Sequence, residues 1–572
     1  MLGQSFLKFR VMGRSWNKTL QVLFFFLILC SCGTKNKNIS AKDLQAISLK
    51  KGALVLCGSS ESQLGSVKFE ISCDDKLKKE FNLAMELLHS FEYEEAEKQF
   101  AKIIEADPQC AMAYWGVAMS NYHPLWTPPT AAELKKGKQV LDLARSIPNI
   151  PERESAYIRA IAMIYDDADK SDLHTRSVQF MEAMDSMYRK YPDDKEAAIL
   201  FALSLDAAAD PADKSYANQK KAGEILNAVY PGEPNHPGII HYIIHTYDYP
   251  GLAELALPAA RKYAMVAPAS SHALHMPSHI FTRLGLWDES VRSNLASTAA
   301  ATCYAENTSI KGHWDEELHG LDYLEYAYLQ KADDSLAKKV RDYLSTIETV
   351  YPMDFKVAYA FAAIPARYTL ERKDWSGAAD LAVRPQYFPW NSYPWQEAII
   401  HFARLLGMVH LNRMDSATMQ LVILKKLRDT LMLQMDKYKV NQVNIQIQTA
   451  EAWMLFYAGK KQQALAQMQM AADKEDATEK HPVTPGEVIP ARELLGDMLL
   501  LMGRNSEALT AYQANLKIRP NRFNALYGAG RAAEKSGNRE EARKYYRVLS
   551  DQSAIHSNRP ELISARLFLR DT

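Results

Sequence analysis

The chain has 572 residues, of which 47% are hydrophobic and 24% charged, and its 68 Lys and Arg balance 68 Asp and Glu. This composition is that of an ordinary globular protein, and the missing basic excess argues against nucleic acid or an anionic membrane surface as a partner. The length allows several domains or one continuous solenoid.

The N-terminus has the features of an export signal. Basic side chains precede the apolar run LQVLFFFLIL, and the small polar cluster CSCG follows it; the basic residues are Lys8, Arg10, Arg14 and Lys18. The apolar run is shorter than the ~20 residues that a membrane-spanning helix needs. We therefore predict that residues 1–31 form a signal peptide, whose removal leaves 64 Lys and Arg against 68 Asp and Glu.

The end of this signal, Leu29-Cys30-Ser31-Cys32, resembles a bacterial lipobox. That resemblance implies that Cys32 carries a lipid and that the mature protein touches the membrane only through this anchor. Gly33 stands where an inner-membrane retention signal would place aspartate. We therefore expect an exported protein anchored to the outer membrane.

Four cysteines follow Cys32 in the sequence. Cys57 and Cys73 flank a polar stretch without helical pattern, so we predict that they form a disulfide bond in the exported protein. Cys110 and Cys303 lie inside helical patterns, and we expect both to be core thiols.

Three segments repeat the same spacing of small, aromatic and proline residues: 81–108, 493–520 and 524–549. In the first of them, Ala84, Phe100 and Pro108 occupy these positions. This pattern resembles the tetratricopeptide repeat, a helical hairpin of 34 residues, and it also fits 237–304 well and 445–478 loosely. The resemblance implies an all-α, right-handed solenoid with a concave groove lined by the first helix of each hairpin.

Composition and repeat spacing divide the chain into four parts. The repeats are interrupted by insertions near 209–220 and 305–317, and a charged connector precedes the last repeats. The parts are a signal peptide (1–31), a tether and N-terminal cap (32–76), a tetratricopeptide-like solenoid (77–480) and C-terminal tetratricopeptide repeats (481–572). Segments such as NHPGIIHYIIH and HALHMPSHI also resemble a family of exported bacterial proteins with these repeats. That resemblance bears on fold and location only.

Histidines recur in the register of the repeat. If Pro268 closes a repeat, His241 and His275 both occupy position 5, and His245 and His279 both occupy position 9, in repeats that begin at 237 and 271. The tetratricopeptide resemblance implies that both positions face the groove. Residues four apart share one face of a helix, so the four imidazoles are expected to face the same space.

Four imidazoles, or three with Asp248, would suit a zinc, copper or iron ion. Further groove or supporting positions are predicted to bind ligand; these are Asp248, His272, His236, His319, His123 and Trp115. Pro277 falls inside a helix among these histidines and is expected to kink it. The sequence leaves two alternatives open: peptide or carboxylate binding by metal-free imidazoles, and simple packing.

The sequence supports two main functions. In the first, a lipid-anchored solenoid binds a peptide, a partner protein or a small ligand in its groove, together with a transition metal. In the second, the histidines hold the metal centre of an enzyme. A glycan-binding lipoprotein is less favoured, because Gly33-Thr34-Lys35-Asn36 replaces the acidic and aromatic start of that family. Catalytic motifs such as G-x-S-x-G and H-E-x-x-H are not found, so whether the protein is an enzyme stays open.

Overall fold

The computed structural model describes residues 39–57, 63–125 and 128–571, so the predicted signal peptide and Cys32 lie outside the described residues. Within these ranges the secondary structure is almost entirely helical, and the strands are the two-residue β1 (His313–Trp314) and β2 (Val350–Tyr351), which pair in parallel. The predicted all-α class is confirmed. Among the described helices, none has the length and apolar character that crossing a membrane requires.

The helices follow one another through the whole described chain, with 3-10 turns at Asp75–Leu77, Tyr230–Gly232 and Trp390–Ser392. The first half forms α1 (Ala41–Gln45), α2 (Lys78–His89), α3 (Tyr93–Ala106), α4 (Ala111–Ser120), α5 (Ala131–Ser146), α6 (Glu152–Tyr165), α7 (Leu173–Lys190), α8 (Lys195–Ala207), α9 (Ala217–Val229), α10 (Pro237–Thr246), α11 (Ala253–Val266), α12 (Ser271–His275), α13 (Pro277–Arg283) and α14 (Trp287–Asn307). The second half forms α15 (Asp315–Gln330), α16 (Asp334–Leu344), α17 (Phe355–Leu370), α18 (Trp375–Ala379), α19 (Pro394–His410), α20 (Met414–Leu433), α21 (Lys437–Tyr457), α22 (Lys461–Asp476), α23 (Ala491–Leu501), α24 (Asn505–Ile518), α25 (Phe523–Lys535), α26 (Arg539–Gln552) and α27 (Pro560–Arg570).

Consecutive helices pair into hairpins, from α2 with α3 to α25 with α26, and α27 packs on the last pair. The crossings use small residues as predicted: a Cβ atom at Gly496 would lie 2.7 Å from the ring of Tyr512, and one at Gly530 would lie 2.5 Å from the ring of Tyr546. Glycine therefore lets an aromatic ring of the second helix pack directly on the backbone of a first helix. Stacked hairpins of this kind form the all-α, tetratricopeptide-type solenoid that the sequence predicts.

Two large hydrophobic clusters hold the solenoid together. The first extends from Ile39 to Phe281 and the second from Leu318 to Ala532. Since the second cluster runs past residue 480 without a break, the C-terminal hairpins share a core with the hairpins before them.

Residues 63–73, the N-terminal segment, lie along the first helices of the solenoid. The backbone N–H of Phe69 donates to the Asn82 amide oxygen at 2.9 Å, and that of Val67 donates to the Glu86 carboxylate at 3.2 Å, both acceptors lying on α2. Val67 and Phe69 are buried while the residues between and after them are exposed, which is the alternation of an extended chain. The chain thus fills the groove of its own first repeats.

Residues 477–490, the connector segment, fold back onto both halves of the solenoid. The Lys480 ammonium lies 3.0 Å from the Asp248 carboxylate, and the Tyr323 hydroxyl donates to the Val483 carbonyl at 3.1 Å. Both Lys480 and Val483 are buried, although the sequence around them is charged. The connector segment therefore covers the groove where the two halves meet.

The first five hairpins curve until α10 meets α2. The Tyr242 hydroxyl of α10 lies 2.8 Å from His89 Nδ1 at the end of α2. Gly238 permits this approach, since a Cβ atom there would lie 2.5 Å from the same nitrogen. The contact brings the backbone of His89 beside the histidines of α10.

The predicted Cys57–Cys73 disulfide is wrong. Cys57 bonds to Cys303 on α14, and Cys73 bonds to Cys110 immediately before α4. The reason is the extended path of residues 63–73, because an extended chain advances about 3.3 Å per residue and carries its two ends apart. One disulfide therefore fastens the last residue of the N-terminal segment to the solenoid, and the other fastens Cys57, which precedes the segment. Neither Cys110 nor Cys303 is a free core thiol.

Candidate metal centre

Three successive first helices of the solenoid carry six clustered histidines. They are His241 and His245 on α10, His272 and His275 on α12, His279 on α13 and His319 on α15. The helices α10 and α12 begin at residues 237 and 271, as the repeat register predicts. The helix is interrupted at Met276, since α12 ends at His275 and α13 begins at Pro277. Met276 keeps right-handed helical dihedral angles, so the predicted kink stays a prediction.

His241, His245 and His272 form the first histidine group. Nε2 of His241 lies 2.9 Å from Nε2 of His245 and 3.2 Å from Nε2 of His272. Nδ1 of His241 points away from the group and lies 2.6 Å from the His89 carbonyl oxygen, which accepts only if Nδ1 carries the proton. Nε2 of neutral His241 therefore presents its lone pair to the other two rings.

His275, His279 and His319 form the second histidine group. Nε2 of His275 lies 3.1 Å from Nε2 of His279, and the His319 ring centroid lies 4.2 Å from that of His275. Nδ1 of His279 faces the Asp248 carboxylate at 3.0 Å. Nδ1 of His275 faces the side-chain oxygen of Asn294 at 2.7 Å.

These partners fix the protonation of both rings. The Asn294 amide nitrogen donates to the Ser290 carbonyl at 2.8 Å, so its oxygen must accept from His275 Nδ1. The Asp248 carboxylate likewise accepts from His279 Nδ1. Two Nε2 lone pairs then face each other at 3.1 Å, which is repulsive unless a cation lies between them. Two nitrogens bound tetrahedrally to one ion at ~2.0–2.1 Å lie about 3.4 Å apart, close to this separation.

Burial keeps five of the six imidazoles neutral, namely His241, His245, His275, His279 and His319. Desolvation is the largest cause that lowers the pKa of each, followed for most by a neighbouring imidazole: the pKa of His279 falls to about 4, and those of His241, His245, His275 and His319 fall well below the ordinary value. The Asp248 carboxylate opposes this shift at His279. Neutral imidazole is the form that binds metal ions, so the groups are ready to bind near pH 7.

The charged groups around the histidines are paired with one another. Asp248 contacts Arg283 at 2.8 Å and Lys480 at 3.0 Å besides His279. Burial and Asp248 act in opposite directions on Lys480, and the pKa of its ammonium is lowered to about 8. Glu316 lies 2.5 Å from Lys356 and 4.0 Å from Nδ1 of His272. Both carboxylates thus stand behind the rings, on the side away from the converging nitrogens.

A third cluster joins His89, Glu196 and His236, and its hydrogen bonds are already satisfied. The two carboxylate oxygens of Glu196 lie 3.0 Å from Nε2 of His89 and 2.8 Å from Nε2 of His236. Nδ1 of His236 accepts from the Ile239 N–H, so its Nε2 carries the proton that Glu196 accepts. This cluster is a carboxylate held by two imidazoles, and its nitrogens present N–H groups rather than lone pairs.

The structure places the sequence-predicted site residues in three settings. The four histidines predicted to share one ion are divided between the two groups, and His272 and His319 complete them. Asp248 orients His279 instead of facing the converging nitrogens, and His236 binds Glu196.

Two other predicted residues lie outside the histidine groups. His123 packs on Tyr93 at the end of α4. Trp115 is buried against Phe69 of the N-terminal segment and Tyr157.

The sequence alone does not indicate several residues that orient the histidines. Asn294 and the His89 carbonyl fix two of the histidines, and Lys480 reaches Asp248 from 232 residues away. The only sequence signal was the KHP triplet inside an otherwise ordinary charged connector. Serine and asparagine spaced four apart on α14, at Ser290 and Asn294, give no recognisable motif.

Comparison with known proteins adds no argument about the fold or the function. Neither a family model nor a curated protein matches the sequence. Among solved structures, the human IFIT1 dimer with m7Gppp-AAAA is 12% identical over 84% of this chain and 96% of that chain, with a TM-score of 0.35. The APC/C hetero-tetramer Cut9–Hcn1 is 12% identical over 88% of this chain and 96% of that chain, with a TM-score of 0.26. Such distant likenesses transfer no ligand or partner, and the RNA cap belongs to IFIT1.

Proposed function

We propose that this protein binds transition-metal ions, one in each histidine group, inside a tetratricopeptide-type solenoid. The observation that carries the proposal is the second group, where His275 and His279 direct their Nε2 lone pairs at each other at 3.1 Å while hydrogen bonds fix both Nδ1 protons. Histidine ligands of metals ordinarily donate their other N–H to a carboxylate or a carbonyl, which is the arrangement found here.

Imidazole ligands suit zinc, copper and iron. Three protein ligands per ion leave a coordination position for water or substrate, as in catalytic rather than structural sites. This feature supports the metalloenzyme alternative over storage of metal. A peptide bound along the groove is less favoured, since the N-terminal segment and the connector segment already occupy much of it.

Metal content tests the proposal. We expect protein without a histidine tag, reconstituted with Zn²⁺ and freed of excess metal, to hold two ions per chain by mass spectrometry. His241→Ala/His245→Ala and His275→Ala/His279→Ala should each hold one, because each removes two ligands of one group. The control His174→Ala changes an exposed histidine of α7 and should keep two. Equal metal in all four proteins, or a negligible amount in each, would contradict the proposal.

We further propose that the protein is exported and lipid-anchored through Cys32, to the outer membrane. Support comes from the lipobox-like sequence and from the two disulfides, which are typical of proteins outside the cytosol. In a bacterial host, Cys32→Ala should move the protein from the membrane fraction to the soluble fraction and abolish labelling by a fatty acid. The neighbouring Cys30→Ala serves as control and should remain lipidated. Unchanged membrane attachment of the Cys32 variant would refute the anchor.

A further inference from the structure

The two histidine groups are direct neighbours. The His245 ring of the first group contacts the His279 ring of the second edge-on, with centroids 6.4 Å apart. Their helices α10 and α13 also pack together. Two ions held by these groups would therefore lie side by side, with the rings of His245 and His279 flanking the space between them.

The ligands of both groups carry no charge of their own. All six are imidazoles, and the carboxylates around them are matched by as many cations. Asp248 contacts Arg283 and Lys480, while Glu316 and Asp315 share Lys356. Two metal ions in this buried place would thus bring several positive charges that no side chain offsets. Charges attract each other strongly in a poorly solvated site. An anion is therefore bound most tightly where it touches both metal ions.

Aromatic side chains limit how large such an anion can be. Phe91 stacks on both His245 and His272 with centroids 5.6 Å apart, and Tyr323 packs on His275 at 4.7 Å and on His279 at 5.0 Å. These rings cover one face of each histidine group. This packing favours an anion of a few atoms near the converging nitrogens over a peptide carboxylate or a sugar acid.

We propose that the paired histidine groups form a dinuclear centre whose ligand is a small anion with oxygen or nitrogen donors, such as hydroxide or azide, bound by both metal ions at once. This inference rests on the proposed metal-binding function and adds to it the class of ligand that the two ions share. In known two-metal sites both ions act together on the oxygen atoms of one bound group. Because the six imidazole ligands carry no charge, a bound anion is needed here to offset the charge of the two metal ions.

Azide binding to the Cu²⁺-loaded protein tests the inference, because azide bound to Cu²⁺ gives a charge-transfer absorption band. We expect the band to saturate at one azide per two copper ions in the unchanged protein. His241→Ala/His245→Ala and His275→Ala/His279→Ala should each retain one copper, which also shows that they fold, and should bind azide at least tenfold more weakly. Exposed His174→Ala should behave like the unchanged protein.

The possible failures are distinguishable. One azide per copper, with equal affinity in the single-group variants, would overturn the shared anion while leaving metal binding intact. Electron paramagnetic resonance gives a second readout. Two Cu²⁺ ions joined by one anion should couple their spins and lose much of the ordinary Cu²⁺ signal, whereas the full signal of two independent spins would also overturn the inference. Failure to load copper at all, seen before azide is added, would refute the proposed function itself.

Discussion

Metal binding is expected to stabilise the fold by about 4 kcal/mol per histidine group when the free metal concentration is 1,000 times the dissociation constant. The reason is that α10, α12, α13 and α15 bring the ligands together only in the folded chain. Denaturant unfolding of the metal-free and Zn²⁺-loaded protein, followed by circular dichroism, measures the difference. The single-group variants keep one binding site, so Zn²⁺ should stabilise each of them about half as much as it stabilises the unchanged protein.

Metal-free protein must remain folded for this comparison, and the large hydrophobic clusters provide the stability for that. His174→Ala is again the matched control, since its histidine is exposed and remote in sequence from the groups. If Zn²⁺ stabilises the single-group variants as much as the unchanged protein, the metal acts at another place and the two groups are not its binding sites.

Arg522→Ala is expected to lower the free energy of unfolding by about 3–5 kcal/mol. The guanidinium is fully buried and bonds to Glu493 at 2.9 Å, to Glu371 at 2.5 Å and to the Tyr326 hydroxyl at 2.8 Å. Its loss would leave two buried carboxylates without a counter-charge. Urea unfolding of the variant measures this loss. The slope of the unfolding free energy against urea concentration should stay unchanged.

A surface arginine gives the control for this result. Arg189 is 73% exposed and pairs with Asp185 four residues earlier on α7, so Arg189→Ala should cost less than about 1 kcal/mol. A variant in which Arg522→Met is combined with Glu371→Gln and Glu493→Gln should recover much of the loss, since no charge is then buried alone. Similar small losses for Arg522→Ala and Arg189→Ala would show that the buried ion cluster does not hold the second half together.

Repeat spacing was enough to predict the hairpins and the register of four histidines. Small residues such as Gly496 recur at the crossings, and two histidines four residues apart necessarily share a helix face. The same local rule predicted the break at Pro277, because proline cannot donate the backbone hydrogen bond that continues a helix. These features depend on neighbours in sequence, so they are visible without coordinates.

The division into two histidine groups depends on contacts between distant residues. His319 follows the irregular stretch after α14, which removes it from the 34-residue register, and His272 lies only three residues before His275 yet joins the other group. The nitrogen that each ring exposes is set by partners such as Asn294 and the His89 carbonyl, which no spacing reveals. The Cys57 pairing failed for the same reason, since the path of the N-terminal segment through the groove is a tertiary feature.

Anomalous diffraction at the absorption edge of the bound metal tests the central claim most directly. Crystals of the Zn²⁺-loaded protein should show two anomalous peaks, each ~2.0–2.1 Å from the Nε2 atoms of one histidine group. Peaks at the His89, Glu196 and His236 cluster instead, or none near α10 and α13, would contradict the account.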